Sequence, residues 1–257
     1  MPSSPFALPD RLLAPAPPER RVGFLRGRRF AHRGLHGDGR VENGRAAFLA
    51  AIERGDGIEC DVRLSIDGTA FVFHDAMLDR LTEEQGTLAT LTAGSIGRTM
   101  LKGTDETVPR LEEILTLVGG RAPLLIEVKA PDRHVGRLCL AVRRALEGYR
   151  GSVAVMSFNP QVGRWFADHA PRITRGLVIT EEGKKGLRGR AERHLALWRA
   201  RPDFLAYDVR DLPSRFAAAQ RRRGLPVLTW TVRGRAAEMA AAEHADAPIY
   251  EMIEEEA

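Results

Sequence analysis

Short apolar runs alternate with amphipathic stretches along most of the chain. Eight of the runs are typical of strands: FAHRG, GIECDV, PLLIEVKA, VAVMSF, TRGLVIT, FLAYDVR, PVLTWTV and APIYE. The stretches between them repeat apolar positions at helical spacing, at residues 45–54, 110–118, 133–146, 160–169, 188–200, 214–223 and 235–244. This repeated alternation in one chain of 257 residues predicts an α/β fold, a single (β/α)8 TIM barrel.

The second run continues into a further predicted strand at residues 69–74. Asp67-Gly68, between the two, is a turn dipeptide of the kind that closes tight hairpins. A link this short joins only antiparallel strands. We therefore expect an extra β-hairpin after the second barrel strand, and not a ninth barrel strand.

The first 28 residues differ from the rest of the chain. They are rich in proline, which argues against a helix, and they lack the charged start and apolar core of a secretory signal. We predict an extended lead-in over residues 1–28 and one domain over residues 29–257, because no linker or repeat divides the remainder. The two cysteines, Cys60 and Cys139, imply no disulfide framework and favour a cytoplasmic location.

The apolar content and the net charge of the chain bear on whether its partner is a membrane, a nucleic acid or a small molecule. Apolar residues make up 44% of the chain and no apolar run is long enough to cross a bilayer, so we expect no stable membrane insertion. The net charge of +5 is compatible with nucleic-acid binding, but arginine is spread along the whole chain. A small-molecule partner is therefore favoured over a nucleic acid, and the oligomeric state stays open.

Two carboxylates interrupt the otherwise apolar second strand. Alternate strand residues share a face, so Glu59 and Asp61 point together while Cys60 points away. If the hairpin turn has two residues, counting outward sets His74 directly across from Asp61 and on the same face. The pattern predicts a cluster of two carboxylates and a histidine.

Polar residues recur near the ends of other strands. In LLIEVKA, Glu127 and Lys129 share a face, which adds a third carboxylate and a cation. His32 and Arg33 end the first strand, and Gly34 allows a sharp turn there. Polar residues at the carboxyl ends of barrel strands indicate an active site, so we expect these side chains to meet.

The order of these blocks is highly specific. AHRG is followed by ENGRAAF, IECDVRLSIDGTAFVFHDAMLDRLT, LKGTDETVPRLEEIL, IEVK, SF and TWTV, which together extend over nearly the whole chain after residue 28. In this arrangement the sequence resembles the glycerophosphodiester phosphodiesterase family, with its phospholipase C-like phosphodiesterase barrel. The resemblance implies that residues 29–257 form such a barrel and act as a phosphoric diester hydrolase in lipid and glycerol metabolism.

The resemblance also implies roles for matching positions. The implied metal ligands are Glu59, Asp61 and Glu127, the catalytic pair His32 and His74, the phosphate-binding residues Arg33 and Lys129, and the aromatic lining of the alcohol pocket Phe158 and Trp230. Two positions depart from the family pattern. Gly44 stands where Ser or Thr is usual, and APIYE replaces a final stretch that commonly ends in Thr-Asp.

These residue types suit metal-assisted hydrolysis of a phosphodiester. Three carboxylates are hard oxygen ligands, which favour Mg²⁺ or Ca²⁺ over zinc. Cationic side chains offset the phosphate charge, and two imidazoles serve as general base and general acid near neutral pH. We expect hydrolysis of a glycerophosphodiester to sn-glycerol 3-phosphate and an alcohol, with water or the free glycerol hydroxyl as the attacking group.

Several alternatives stay open on the sequence alone. One is the same chemistry on lysophospholipid or other phospholipid headgroups, and another is a non-catalytic metal-binding barrel. Trp230 is a candidate for core packing as well as for the pocket. The basic segment 183–190, GKKGLRGR, follows the fifth barrel strand and either attracts anionic substrate or is a solvated loop. We expect His36 in a loop and His194 on a helix surface, without a role for either.

Overall fold

The computed structural model describes residues 5–252, so the first residues of the predicted lead-in (1–4) and the last of the predicted domain (253–257) lie outside the described residues. Its strands are β1 (Phe30–Ala31), β2 (Gly57–Leu64), β3 (Ala70–Val72), β4 (Leu124–Val128), β5 (Val153–Ser157), β6 (Thr174–Ile179), β7 (Phe204–Asp208), β8 (Val227–Val232) and β9 (Ala247–Tyr250). Its α-helices are α1 (Ala7–Leu13), α2 (Glu19–Val22), α3 (Arg45–Arg54), α4 (Ala93–Ile96), α5 (Leu111–Val118), α6 (Gly136–Ala145), α7 (Pro160–His169), α8 (Leu187–Ala200), α9 (Arg215–Arg222) and α10 (Gly234–His244). Short 3₁₀ helices lie at Gly23–Leu25, Leu88–Thr90 and Val209–Asp211.

All the strands except β3 form one closed parallel barrel. β1 pairs with β2 on one side and with β9 on the other, and the remaining strands pair in the order β2, β4, β5, β6, β7, β8 and β9. At least one helix lies between each barrel strand and the next. The predicted (β/α)8 barrel is confirmed, and all eight predicted strands are present.

The extra hairpin is present, but its register differs from the prediction. Phe73, and not His74, lies opposite Asp61, and its N–H donates to the Asp61 carbonyl at 2.9 Å. The predicted register is therefore wrong by one residue. The cause is a turn of three residues at 66–68, in which Gly68 takes the left-handed conformation with φ +92°.

The barrel strands separate two apolar layers. Outward-facing residues such as Cys60 and Ile126 pack against the surrounding helices. Inward-facing residues such as Leu125 and Leu228 fill the interior toward the amino ends of the strands. At the carboxyl ends the inward positions become polar, so this end of the barrel is left for a functional site.

The lead-in is partly helical, so the prediction of an extended segment is wrong for Ala7–Leu13. Pro9 stands in the first turn of this helix, where its missing N–H breaks no intrahelical hydrogen bond. Val22 and Leu25 are fully buried among the inward-facing residues of the barrel, so the lead-in closes the amino end. The proposed domain boundary at residue 28 stays a prediction.

Asp10 on α1 fixes the lead-in to the outer helices. Its carboxylate accepts hydrogen bonds from His194 Nδ1 at 2.8 Å, Trp198 Nε1 at 2.8 Å and Gln220 Nε2 at 2.7 Å. Burial opposes ionisation, but these donors outweigh it and lower the pKa of Asp10. His194, expected on a helix surface, is instead buried in this contact.

Two further expectations concern the chain as a whole. Cys60 and Cys139 are both buried free thiols. Within residues 5–252, no helix combines the length and the apolar character that spanning a membrane requires.

We predict that Asp10→Ala lowers the free energy of unfolding by about 3 kcal/mol, because it leaves two buried donors and one partly buried donor without an acceptor. Equilibrium unfolding in urea measures this change. Glu147→Ala is the matched control, since Glu147 forms only an exposed ion pair with Arg143 at 3.6 Å and its loss should cost under about 1 kcal/mol. Equal stability of Asp10→Ala and the wild-type protein would show that the lead-in is not anchored by this contact.

Candidate active site

Three carboxylates meet at the carboxyl end of the barrel. β2 contributes Glu59 and Asp61, and β4 contributes Glu127, which is paired with Asp61 in the sheet. One oxygen of each side chain lies within 4.8 Å of the others, and all three residues are buried. The alternation predicted for β2 is present, because Cys60 faces the helices. These three side chains form one acidic cluster.

Two cations balance part of the charge of the acidic cluster. Lys129 Nζ lies 2.9 Å from Asp61 Oδ1 and 2.8 Å from Glu127 Oε1. Arg33 Nε lies 3.2 Å from Asp61 Oδ2. Within residues 5–252, the Glu59 carboxylate has no Lys or Arg side chain in ion-pair contact. Three carboxylates therefore face two cations, and Glu59 is the least compensated of them.

The backbone bends sharply after β1 to reach the acidic cluster. Arg33 has φ +57° and Gly34 has φ +80°, and the Arg33 N–H donates to Glu59 Oε2 at 3.1 Å. A Cβ at position 34 would lie 2.8 Å from Phe48 and 2.9 Å from Ala47, both on α3. Glycine is therefore required here for its conformation and for space, which confirms the predicted turn.

Burial and charge set the ionisation of the three carboxylates. Burial opposes ionisation of Asp61, but Lys129 and Arg33 hold its pKa well below the usual range. The pKa of Glu59 is raised well above the usual range, because burial and the charges of Asp61 and Glu127 disfavour the ionised form. Burial also raises the pKa of Glu127, with partial compensation by Lys129. An added cation would therefore favour ionisation of Glu59 in particular.

The acidic cluster fits a divalent cation that prefers oxygen ligands. Glu59 Oε1 is buried and has no hydrogen-bond partner among the described residues. Carboxylate oxygens of Asp61 and Glu127 lie within 4.8 Å of a Glu59 oxygen, close enough for the three to share one ion. A set of hard carboxylate donors suits Mg²⁺ and Ca²⁺ alike and suits zinc less well.

His32 follows β1 and lies beside Glu59. Its Nε2 is 3.8 Å from Glu59 Oε2, and its Nδ1 is hydrogen-bonded to Glu251 Oε1. Burial lowers the pKa of His32 by more than the contact with Glu251 raises it. The lowered pKa favours the neutral imidazole, and one ring nitrogen lies toward the acidic cluster.

His74 comes from the segment after β3, and its side chain is 30% exposed, against 12% for His32. Its Nδ1 lies 2.6 Å from Asp75 Oδ1, and its carbonyl accepts from Arg63 Nε at 2.7 Å. Burial lowers the pKa of His74 by more than the charge of Asp61 raises it. His74 is therefore within electrostatic reach of the acidic cluster, although it is not the cross-strand partner of Asp61.

Ion pairs connect His74 to Arg33 around the edge of the acidic cluster. Arg80 Nε lies 2.6 Å from Asp75 Oδ2, and the other nitrogens of its guanidinium lie 2.7 and 2.9 Å from the Glu42 oxygens. Arg33 Nη1 approaches the same Glu42 carboxylate at 2.9 Å. This network restrains Arg33 and His74 together.

Sequence reasoning missed four charged residues of this site. Asp75 and Arg80 lie inside the quoted block FHDAMLDRLT, and Glu42 begins the block ENGRAAF, so the blocks themselves contained the signal. For Glu251 the signal was weaker. Only the alternation along β9, which turns Ile249 inward and Tyr250 outward, indicated that the next residue faces the barrel interior.

A different helix cap explains how Gly44, one of the two departures from the family pattern, is accommodated. α3 begins at Arg45 and receives no side-chain cap from position 44. Glu106, from a distant loop, accepts from the N–H of Arg45 at 2.5 Å and of Ala46 at 3.0 Å. A Cβ at position 44 would lie 2.8 Å from the Val41 carbonyl oxygen. The glutamate thus satisfies the helix N-terminus that Ser or Thr would otherwise cap.

Phe158 and Trp230 form an aromatic pair at the rim of the barrel. Their ring centroids are 5.4 Å apart in an edge-to-face arrangement. Phe158 is 45% exposed, whereas Trp230 is half-buried and donates its indole N–H to the Ala206 carbonyl at 3.1 Å. Trp230 therefore packs against the apolar core, and its place in the alcohol pocket stays a prediction.

The basic segment 183–190 follows β6, at the same end of the barrel as the acidic cluster. Two of its cations have an acidic partner, since Lys184 Nζ and Arg188 Nε lie 3.6 and 2.9 Å from the Glu192 carboxylate. Its proposed attraction for anionic substrate stays a prediction.

Comparison with known proteins relates this site to a family. A model of the glycerophosphoryl diester phosphodiesterase family matches residues 32–248, which include the acidic cluster, both histidines and the aromatic pair. The chain belongs to this family. The matched range begins at His32 and ends within β9, so it covers the whole barrel except the two residues of β1 and the last two residues of β9.

Individual members of the family are similar over shorter stretches. A glycerophosphodiester phosphodiesterase of Bacillus altitudinis is 39% identical over 107 residues, which are 39% of this chain and 43% of that protein. One from Caldanaerobacter subterraneus subsp. tengcongensis is 33% identical over 159 residues, 58% of this chain and 65% of that protein. Each match spans less than two thirds of the relative.

Solved structures share the fold over most of the chain. A phosphodiesterase of Oleispira antarctica, in complex with the product sn-glycerol-3-phosphate, has a TM-score of 0.77 at 21% identity and covers 89% of this chain and 94% of its own. A glycerophosphodiester phosphodiesterase of Thermotoga maritima has a TM-score of 0.68 at 24% identity, covering 86% and 92%. At these identities the likeness establishes the fold.

We predict that Glu59→Gln raises the melting temperature of the metal-free protein, because it removes the least compensated of three buried carboxylates. It should also abolish the rise of about 5 to 10 °C expected for the wild-type protein at Mg²⁺ or Ca²⁺ about a hundredfold above the dissociation constant. Thermal unfolding followed by circular dichroism measures both.

Lys129→Met provides the opposite comparison, since it removes the cation between Asp61 and Glu127 and should lower the metal-free melting temperature. A lower melting temperature for metal-free Glu59→Gln would instead identify Glu59 as half of a structural ion pair.

Proposed function

We propose that this chain is a metal-dependent glycerophosphodiester phosphodiesterase that releases sn-glycerol 3-phosphate and an alcohol. The observation that carries the proposal is the buried acidic cluster, bordered by Arg33, Lys129 and two histidines at the carboxyl end of a barrel of this family. The named activity of the relatives supports the reaction. The sn-glycerol-3-phosphate bound in the Oleispira antarctica structure supports the proposed product.

Arg33 and Lys129 are suited to hold the phosphate group. Both already border the acidic cluster and are less than one fifth exposed, so their charges are poorly screened by solvent. The contact with Glu42 fixes the Arg33 guanidinium. A divalent cation held by Glu59, Asp61 and Glu127 would offset the charge that develops on the phosphate oxygens.

The two histidines supply the proton transfers of the proposed reaction. His32, held neutral by burial, accepts a proton from the attacking hydroxyl, which belongs to water or to the glycerol beside the phosphate. His74 donates a proton to the oxygen of the departing alcohol. Phe158 and Trp230 border the space for that alcohol, and the exposed Phe158 ring leaves it open toward solvent.

A substrate panel tests the reaction. With Mg²⁺ or Ca²⁺, we expect sn-glycerol 3-phosphate from one or more of glycerophosphocholine, glycerophosphoethanolamine and glycerophosphoglycerol, and none after chelation. Enzymatic assay of glycerol 3-phosphate measures the product, and Glu59→Gln is the inactive control. Cleavage of an added lysophospholipid alone would favour the headgroup alternative. If every substrate stays intact although the metal binds, the chain is a non-catalytic metal-binding barrel.

A change of leaving group tests the roles of the histidines. A general acid is needed when the departing alkoxide is strongly basic, so His74→Ala should lose about 10²- to 10⁴-fold in kcat on glycerophosphocholine. It should lose little on a nitrophenyl diester that keeps the glycerol hydroxyl, because nitrophenolate leaves without a proton. His32→Ala should lose activity on both substrates. Selective rescue of His32→Ala by the nitrophenyl diester would reverse the two assignments.

A further inference from the structure

Glu251 is a partly buried carboxylate that connects His32 to Arg233 at the rim of the site. It follows β9, where Ile249 faces the barrel interior and Tyr250 faces the helices, so its own side chain turns inward. One carboxylate oxygen, Oε1, is hydrogen-bonded to His32 Nδ1. The other, Oε2, accepts from Arg233 Nε at 2.6 Å. Both oxygens are therefore engaged, and the carboxylate has a fixed orientation.

The backbone reinforces this arrangement. The His32 N–H donates to the Tyr250 carbonyl at 2.9 Å, so β1 and β9 are tied together next to the side-chain contact. The side chains of His32 and Glu251 are each only 12% exposed, which leaves little room for another rotamer. Burial opposes ionisation of Glu251, but the hydrogen bonds from His32 and Arg233 and the nearby His36, 3.8 Å away, lower its pKa strongly.

An ionised carboxylate accepts hydrogen bonds and donates none. A neutral imidazole next to it therefore carries its proton on Nδ1, which leaves the Nε2 lone pair free. His32 Nε2 is the nitrogen that lies 3.8 Å from Glu59 Oε2, on the side of the acidic cluster. Only this tautomer presents a proton acceptor to the site.

We propose that Glu251 is a positioning residue, which fixes His32 as the Nδ1–H tautomer with its Nε2 lone pair facing the acidic cluster. The inference rests on the proposed function in one respect, namely that His32 is the group that accepts a proton. Arg233 contributes to this orientation, because it donates to the second carboxylate oxygen from the exposed side of the contact.

Glu251→Gln tests this role because it keeps the shape of the side chain. It replaces one carboxylate oxygen, an acceptor, with an amide NH₂ group, a donor. Arg233 donates to one terminal atom of residue 251, so it will retain the amide oxygen and turn the amide nitrogen toward His32. An amide N–H donor facing Nδ1 selects the opposite tautomer, with the proton on Nε2. Glu251→Asp keeps the carboxylate, shortened by one carbon–carbon bond of about 1.5 Å.

The first readout is the tautomer itself, which requires no turnover. Histidine is labelled with ¹⁵N, the His32 signals are assigned by their absence in His32→Ala, and spectra are recorded at a pH of about 8, above the usual imidazole pKa. We expect a protonated Nδ1 in the wild-type protein and in Glu251→Asp, and a protonated Nε2 in Glu251→Gln. A protonated Nδ1 retained in Glu251→Gln overturns the proposal.

The second readout is catalysis on the best substrate of the panel. Glu251→Gln should lose about tenfold or more in kcat with little change in KM, whereas Glu251→Asp should recover part of the loss. Wild-type kcat in Glu251→Gln contradicts the proposal. If the wild-type protein cleaves no substrate, the proposed function fails, but the tautomer readout still decides the role of Glu251.

Tyr250→Phe is the matched control for general loosening of β9. It removes the hydrogen bond from the Tyr250 hydroxyl to Asp56 Oδ2, at 2.6 Å, on the opposite face of the same strand end. We expect an unchanged His32 tautomer and unchanged kcat. If Tyr250→Phe alters the tautomer as much as Glu251→Gln does, the effect belongs to the strand and not to the carboxylate.

Discussion

The repulsion among three buried carboxylates is the constraint on which the rest of the site depends. A buried ionised group is costly unless it is paired, so the cations beside the acidic cluster are as necessary as the carboxylates themselves. Lys129 bridges Asp61 and Glu127, which come from β2 and β4. Arg33 brings a charge from the end of β1. The same contacts that balance the charge therefore hold three neighbouring strands together at the carboxyl end of the barrel.

The negative charge of the acidic cluster is not fully balanced, and the uncompensated charge lies at Glu59. Glu59 receives a backbone N–H from Arg33 but no cationic side chain, and its other oxygen is buried without a partner among the described residues. The raised pKa of Glu59, caused by burial and its two acidic neighbours, expresses this deficit. In a site of this kind, burying an uncompensated carboxylate lowers the stability of the metal-free protein. Binding of a cation relieves the repulsion among the carboxylates, and this relief adds to the affinity for the ion.

Periodicity made the barrel and the acidic cluster predictable, because the side-chain alternation of a strand depends only on local sequence. The hairpin register was not predictable in this way. Asp67-Gly68 is compatible with a two-residue turn and with a three-residue turn that places glycine in the left-handed conformation, and the choice shifts every pair by one residue. His74 still lies near Asp61, because it follows the paired part of β3 and its position is set by the loop.

Contacts between residues far apart in sequence were the second feature that the sequence did not predict. The contact between His32 and Glu251 joins residues 219 positions apart, and it exists only because β1 and β9 close the barrel. The partners of Asp10, Trp198 and Gln220, are similarly distant from it in sequence. The helix α1 that carries Asp10 was not predicted, because the prolines around it argue against a helix. Alternation along a strand predicts which way a side chain points. Its partner depends on which helices and strands pack together, and the local sequence pattern does not show this.

The two histidines are held in different ways, and the difference bears on their proposed roles. His74 is paired with its neighbour in sequence, Asp75, at the more exposed side of the site. His32 is paired with the partly buried Glu251, distant in sequence, at the more enclosed side. The departing alcohol differs among glycerophosphodiesters and leaves toward solvent, so its proton donor must serve varied groups. The attacking hydroxyl is the same for each, so its proton acceptor benefits from one fixed orientation. In the proposed reaction, the less exposed His32 side of the site would thus serve the constant part of the substrate, and the more exposed His74 side its variable part.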